Sequence, residues 1–465
     1  MTVLDKNHPP SPFDALSEAP WRRFHTVAVL LFGVGWAMDA FEVTLVGNVM
    51  GALGTRFHLG GQAMSVLLAA WFCGLMLGAA WFGALSDRYG RRRVFLASLT
   101  LYGLATLAAA VAPNLTALLV LRALAGVGVG AEYAAINAAI TELVPRRARG
   151  RASAIVLNFW PLGSLLAALL AWPLLAALPP DLGWRMVFAA GGLIALSTAW
   201  LRRYLPESPR WLLAQGRSAE AAAILARVTG EAPGWLALPA APAAKASLIT
   251  LLRQAPGRLA LGAALDFAEA AGYYGLFAFL PLVVLPALHL APHALPLFYL
   301  AGSFGALAGG LAAALTLDRF GRFWSVSLFY GATGLATIAL ALASGLGAGV
   351  IMAGFALTNL LATASWIAAY PTFSELFPTH LRATGIGASV AVGRIGAMIA
   401  PFLVAALGAR SMAAALFLLA GFWLFGALVM VVWRIAGGIE GSGLALERIA
   451  PAAPASAMTS GASRA

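Results

Sequence analysis

Charge is scarce in this 465-residue chain: 10% of its residues are Asp, Glu, Lys or Arg, against 61% hydrophobic. Soluble domains carry about a quarter charged residues. A globular protein so far below that level cannot cover its surface with polar groups and would aggregate, which excludes a soluble enzyme. The apolar richness also excludes a disordered chain. One cysteine, Cys73, excludes an intramolecular disulfide framework. The six histidines, His8, His25, His58, His289, His293 and His380, are scattered in loops and span ends and do not assemble the ligand set of a zinc site. No nucleophile–base pair and no phosphate-binding loop is visible, so no cofactor, metal or ATP-driven chemistry is implied and the chain does not read as an enzyme.

Long apolar runs are abundant instead. A membrane helix needs about 20 mostly apolar residues. Twelve such runs lie near 26–49, 62–86, 94–112, 115–140, 152–178, 184–204, 257–280, 294–317, 323–343, 346–372, 383–408 and 411–433, numbered here spans 1 to 12. They predict an all-α integral membrane protein. The first 25 residues carry Asp5, Lys6, Asp14, Glu18, Arg22 and Arg23 without an apolar core, so they do not read as a signal peptide.

Basic residues assign the faces. With the N-terminus inside, 25 of the 30 Lys and Arg fall on cytoplasmic segments; Arg56, Arg185 and Arg410 fall outside, and Arg122 and Arg394 lie within spans. That split explains the net charge of +12 without nucleic acid: anionic lipid headgroups are the expected partners of these loops. The expected organisation is a cytoplasmic segment 1–25, a six-helix bundle 26–204, a cytoplasmic linker 205–256, a second bundle 257–434, and a disordered cytoplasmic tail 435–465. The linker holds an amphipathic helix candidate at 219–228. The expected location is the inner (plasma) membrane, as a monomer with both termini in the cytoplasm.

The two bundles read as a duplication. Asp87-Arg-Tyr-Gly-Arg91 returns as Asp318-Arg-Phe-Gly-Arg322, 231 residues later. Glu142-Leu-Val-Pro145 with Arg149 returns as Glu375-Leu-Phe-Pro378 with Arg382, 233 later, and Asp39-Ala-Phe-Glu42 matches Asp266-Phe-Ala-Glu269, 227 later. Six spans separate each pair, so the halves share an orientation about an axis along the membrane normal.

Over about 21–434 the chain resembles a major facilitator superfamily transporter. Asp87-Arg-Tyr-Gly-Arg-Arg-Arg93, Arg122 with Gly126, Gly128 and Gly130, and Pro206-Glu-Ser-Pro-Arg-Trp-Leu212 are similar to sugar porters and their relatives. Tyr370-Pro-Thr-Phe-Ser-Glu-Leu-Phe-Pro378 and Gly393-Arg-Ile-Gly396 are similar to the metabolite:proton symporter, aromatic-acid and synaptic-vesicle-protein-like branches. The resemblance implies the major facilitator fold, two pseudo-symmetric six-helix bundles. It also implies a role for Arg122 in a proton pathway, through charge coupling to an intramembrane acid. Where hexose porters carry a paired-glutamine motif, span 7 here has Asp266-Phe-Ala-Glu-Ala-Ala-Gly-Tyr-Tyr274, a departure that argues against a simple hexose.

Five of the 18 acidic residues sit inside spans: Asp39, Glu42, Glu132, Asp266 and Glu269. An ionised group near a helix centre costs about 2.5–3.5 kcal/mol, so each needs a reason. A carboxyl that holds a proton there and releases it when the cavity changes face couples transport to a proton gradient. Asp39, Glu42 and Glu132, with Arg122, are the proton-coupling candidates; structural pairing with Arg122 or Arg394 is the plainer alternative. Arg394 cannot shed its charge and must face a partner or water. It either clamps a substrate carboxylate or neutralises Asp266 or Glu269. Those three, with Tyr273, Tyr274, Trp160 and Trp366, are the substrate-binding candidates, and Trp36 and Phe159 are further aromatic ones. Gly126, Gly128 and Gly130 look like a dinucleotide fingerprint but follow no strand, so they read as small residues that let helices approach.

The loop motifs read as gates: Asp87, Arg88, Arg91, Glu142, Arg149, Glu207 and Arg210 in the first half, Asp318, Arg322, Glu375 and Arg382 in the second. Ion pairs at such surfaces are individually weak, so only a network biases an equilibrium. The expected function is proton-coupled uptake of a small organic metabolite carrying a carboxylate, by alternating access. The alternatives are a sugar or polyol symporter, a cationic drug/proton antiporter, and a transporter-like sensor.

Overall fold

The structure is a computed structural model that describes residues 19–145, 148–202, 206–230, 248–377 and 382–438. Among these residues all regular structure is helical, and ten stretches are long and apolar enough to cross a membrane. Two further helices complete the twelve spans. Span 4, Leu115–Leu143, contributes a shorter apolar stretch at Leu115–Gly130, and span 3, Arg91–Ala109, opens with three arginines. The others are span 1 Arg23–Phe57, span 2 Gly61–Tyr89, span 6 Pro180–Arg202, span 10 Ala348–Leu376, span 11 Arg382–Gly408 and span 12 Met412–Ile435.

Two spans are interrupted where the sequence demands it. Span 5 consists of Arg149–Leu157 and Trp160–Ala177, broken just ahead of Pro161. Span 7 runs Pro256–Phe279 and then widens into a π-turn, Leu280–Val284, containing Pro281, whose ring and missing N–H disrupt the regular ladder. Spans 8 and 9 follow each other directly within Leu295–Ala343, and the chain turns between them at Gly321, where φ is 75°. Gly90, between spans 2 and 3, has φ 93°. These are equivalent positions of the repeated Asp-Arg-aromatic-Gly-Arg motif. Both need the left-handed conformation that glycine adopts without steric cost.

Within each half, spans cross at glycine faces. A Cβ on Gly126 or Gly130 would strike the backbone carbonyls of Trp71 or Leu75 in span 2, and one on Gly74 or Gly78 would strike those of Ala123 or Val127 in span 4. Gly305 and Gly309 of span 8 meet Ala356 and Leu360 of span 10 in the same way. The glycine run of span 4 is therefore a close helix crossing. Between the halves, span 2 packs on span 11 and span 5 on span 8. Ser65 of span 2 donates to the carbonyl of Pro401 at 3.1 Å. At the face opposite the linker, Phe277 and Tyr299 close on Gly47, and Leu285 and Leu295 close on Gly51. Around the outside, large apolar side chains such as Trp81, Leu311 and Ile435 are exposed, as lipid contact requires.

Candidate functional site

In the first half, the charged residues predicted within spans 1 and 4 meet inside the bundle. Arg122 Nη1 donates to Glu42 Oε1 at 2.6 Å, with the two side chains 0% and 1% exposed. Thr106 of span 3 closes a triangle: its hydroxyl donates to the same Glu42 oxygen at 2.9 Å and accepts from Arg122 Nη2 at 3.0 Å. The Phe188 ring of span 6 lies 4.8 Å from the guanidinium carbon. Four helices thus surround one ion pair, in a setting where each charge strengthens the other's hydrogen bonds. Asp39, one turn before Glu42, is fully buried.

In the second half, the charge lies between spans 7 and 11. Asp266 is buried and packs against Gly393, where a Cβ would collide with its carboxyl. The next residue, Arg394, is 6% exposed; its Nη1 donates to the Tyr274 hydroxyl at 3.4 Å, and its guanidinium lies 5.8 Å from that ring's centroid. Glu269, half-buried one turn beyond Asp266, stands within Coulombic range of Asp266 and Arg394.

An aromatic group joins the halves. Tyr273 accepts a hydrogen bond from Trp160 Nε1 at 3.0 Å, which ties span 7 to span 5. Trp160 packs edge-on to Trp366 of span 10 at 5.6 Å, and Trp366 stacks on Trp36 of span 1 at 6.1 Å and 13°. Tyr274 meets Phe72 of span 2 edge-on at 4.6 Å. A continuous path therefore runs from Arg394 through Tyr274 and Tyr273 to three tryptophans drawn from both bundles. A narrow apolar crevice beside it is lined by Val43, Val46, Leu68, Trp71, Phe72, Tyr274 and Phe277. Phe159 precedes Trp160 at the break in span 5 and packs against Gly33.

At the loops, Glu207 accepts the backbone N–H of Arg92 at 3.2 Å and fills the space a Cβ on Gly90 would need. The linker motif thus caps the N-terminus of span 3, where an anion is favourable. The linker helix Ser218–Thr229 packs Leu225 and Val228 against Phe24, just inside span 1. Arg88 lies over Tyr89 at 5.3 Å, and Arg322 is half-buried beside Gly321. The side chains of Asp87, Arg91, Glu132, Glu142, Arg149, Arg210, Asp318, Glu375 and Arg382 lie outside the described residues, as does most of the 435–465 tail.

Four contributors escaped the sequence reading of the site: Thr106, Phe188, Phe72 and the Tyr370 ring, which is 5.4 Å from Trp366. Thr106 and Phe188 are ordinary residues in apolar helices, and only the fold reveals that they face an ion pair. Tyr370 stood within a recognised motif, but nothing local aimed it at the tryptophans.

Two duplicated six-span bundles, intramembrane charge and an aromatic junction between the halves define a multi-pass membrane transporter. The family model of the Major Facilitator Superfamily matches residues 27–401, and the chain belongs to that superfamily. It is 29% identical over 395 residues to the niacin transporter NiaP of Acinetobacter baylyi, covering 84% of this chain and 88% of that protein. It is 30% identical over 367 residues to the 3-(3-hydroxy-phenyl)propionate transporter of Escherichia coli, covering 79% and 83%. The partially occluded, inward-open structure of the E. coli xylose transporter XylE matches with a TM-score of 0.73 at 18% identity, over 88% of this chain and 99% of that one, a likeness of fold.

Proposed function

We propose that the protein is a proton-coupled symporter for a small aromatic carboxylate, acting by alternating access in the inner membrane with both termini and the linker in the cytoplasm. The observation that carries this reading is the placement of Arg394: a buried guanidinium at Tyr274, one ring away from the Tyr273–Trp160 hydrogen bond between the halves. A carboxylate on Arg394 would set an attached ring toward Trp160 and Trp366, whose faces and edges suit aromatic contact. Niacin and 3-(3-hydroxy-phenyl)propionate, the cargoes in the names of two relatives, both join a ring to a carboxyl group.

Glu42 is the proton carrier in this reading and Arg122 its partner. While the pair is intact Glu42 is an anion; when rocking of the bundles separates it from Arg122, a buried carboxylate without its counter-ion takes up a proton. Asp39, one turn from Glu42, and Glu132 are the further acids assigned to the proton pathway in this reading. Glu207, with the other loop charges, would hold the linker face shut in one of the two states.

Proteoliposomes under an imposed pH gradient test the reading. Labelled nicotinate or 3-(3-hydroxyphenyl)propionate should accumulate, and a protonophore should abolish the accumulation. Uptake of xylose in place of the acids would move the assignment to the sugar symporters. Uptake that ignores the pH gradient would remove the coupling. Glu42→Gln should lose accumulation and keep exchange of acid across the membrane.

A further inference from the structure

Span 7 presents two carboxyls to one guanidinium. Asp266 and Glu269 lie a turn apart, and among the described residues Arg394 is the cation whose charge reaches both. The other ionisable groups facing them are Tyr273 and Tyr274 from span 7 itself and Tyr330 from span 9, whose hydroxyl donates to the carbonyl of Leu265 at 3.3 Å. Span 12 offers Trp423, span 2 Phe72 and span 5 Trp160, none of which titrates. Arg258, nearer the linker, is committed to the carbonyl of Leu376 at 3.0 Å, and Glu375 of span 10 lies outside the described side chains. One guanidinium can balance only one carboxylate, so the enclosure is neutral only when the pair also holds a proton. A substrate carboxylate on Arg394 brings one more negative charge into the same enclosure. Water cannot solvate that excess inside a bundle, so it needs a compensating cation.

We infer that Asp266 and Glu269 form a second proton-binding site, which fills as a substrate carboxylate takes Arg394. The inference rests on the carboxylate reading above and adds a stoichiometry to it. One proton from bulk water binds the remaining ionised carboxyl of the pair, the acid's charge is then met by Arg394, and the enclosure returns to neutrality. With the proton carried by Glu42, each monocarboxylate would enter with two protons, so transport would move net positive charge inward. The two sites are separate: Glu42 and Arg122 are sealed among spans 1, 3, 4 and 6, and the span 7 pair faces span 11.

The experiment uses the full-length protein in nanodiscs in weakly buffered solution with a pH indicator, titrated with nicotinate and with 3-(3-hydroxyphenyl)propionate. Wild type should take up about one proton per acid bound, Glu269→Gln and Asp266→Asn should each still take up one on the carboxyl that remains, and the double variant none. Should the double variant fail to fold, the proton-to-acid ratio of wild type alone decides the matter. In proteoliposomes the reversal potential should show two protons per acid for wild type and for either single variant, and one for the double variant. Acid binding without proton uptake in wild type, unchanged uptake in the double variant, or compensation that follows sodium and not pH would each overturn the second site while leaving the carboxylate reading standing. Failure of wild type to bind either acid would overturn both.

Discussion

The two halves use the same helix crossings to hold charge in different places. Span 5 meets span 1 where Gly163 lies on the backbone of Ala37; 230 residues later, span 11 meets span 7 where Gly393 lies on Asp266. The residue after the glycine is Ser164 in one half and Arg394 in the other. Ser164 takes a hydrogen bond from Thr44 at 3.0 Å and carries no charge. Conversely, Arg122 of span 4 corresponds to Gly354 of span 10, 232 residues on, while its neighbour Thr106 persists as the buried Thr337. The crossings repeat, but the guanidinium of the first half lies on a helix inside its own bundle and that of the second on one that borders the opposite bundle through span 2. A charge sealed within a bundle responds to strain inside that bundle. A charge at the border responds to what lies between the halves, and in the proposed mechanism this difference separates proton carriage from substrate recognition.

Removing each arginine is the strongest way to break that contrast. Arg122→Ala strands a buried carboxylate, which typically costs about 3–5 kcal/mol. The variant should lose much of its thermal stability in detergent, and adding Glu42→Gln should restore part of the loss. Arg394→Ala should act differently. In the proposed binding mode it removes a charge-assisted contact worth about 1.5–3 kcal/mol, so affinity for nicotinate should fall about 10- to 100-fold in calorimetry; the melting temperature should change less, because the pair it leaves can hold a second proton and Glu269 is only half-buried. Equal destabilisation by both, with acid affinity untouched, would dissolve the distinction between an interior and a border charge.

Much of this architecture was legible in the sequence because membranes impose coarse rules. A stretch without charge must span, and a charge inside a span must have a reason to be there. Glu42 and Arg122 stood out as isolated ionisable residues in apolar helices 80 positions apart, although nothing in either helix named the other as its partner. Arg394 was visible for the same reason, but its two candidate roles differ only in what faces it. The cross-half bond from Trp160 to Tyr273 was not legible, because aromatic residues in membrane helices meet lipid as readily as each other. The break that aims Trp160 inward is local, at Asn158 and Phe159, yet its effect depends on span 8, where the Asn158 side chain occupies the space beside Gly310.

A smaller effect sharpens the comparison at the seam. Trp160→Phe keeps an aromatic ring against Trp366 and deletes the hydrogen bond to Tyr273, a loss of about 1 kcal/mol. Since that bond joins the two bundles, its removal should change the rate of acid exchange by about fivefold with little change in thermal stability. A purely structural bond would instead lower the melting temperature and leave exchange unchanged.

The smallest expected effect lies at the linker, where the halves differ most simply. The first half has Glu207 capping span 3 through the N–H of Arg92, whereas the position 231 residues on is Gly438, which has no side chain to cap anything. Glu207→Gln preserves a hydrogen-bond acceptor and removes the charge that a helix N-terminus favours, a term of about 0.3–1 kcal/mol at a partly exposed site. Salt screens that term, so the difference from wild type in exchange rate or melting temperature should be clearest at low ionic strength and should shrink as salt is added. Glu207→Ala, which also removes the acceptor, should keep a residual deficit at high salt. If the two variants behave alike at every salt concentration, the charge of Glu207 contributes nothing and its grip on span 3 is a neutral cap.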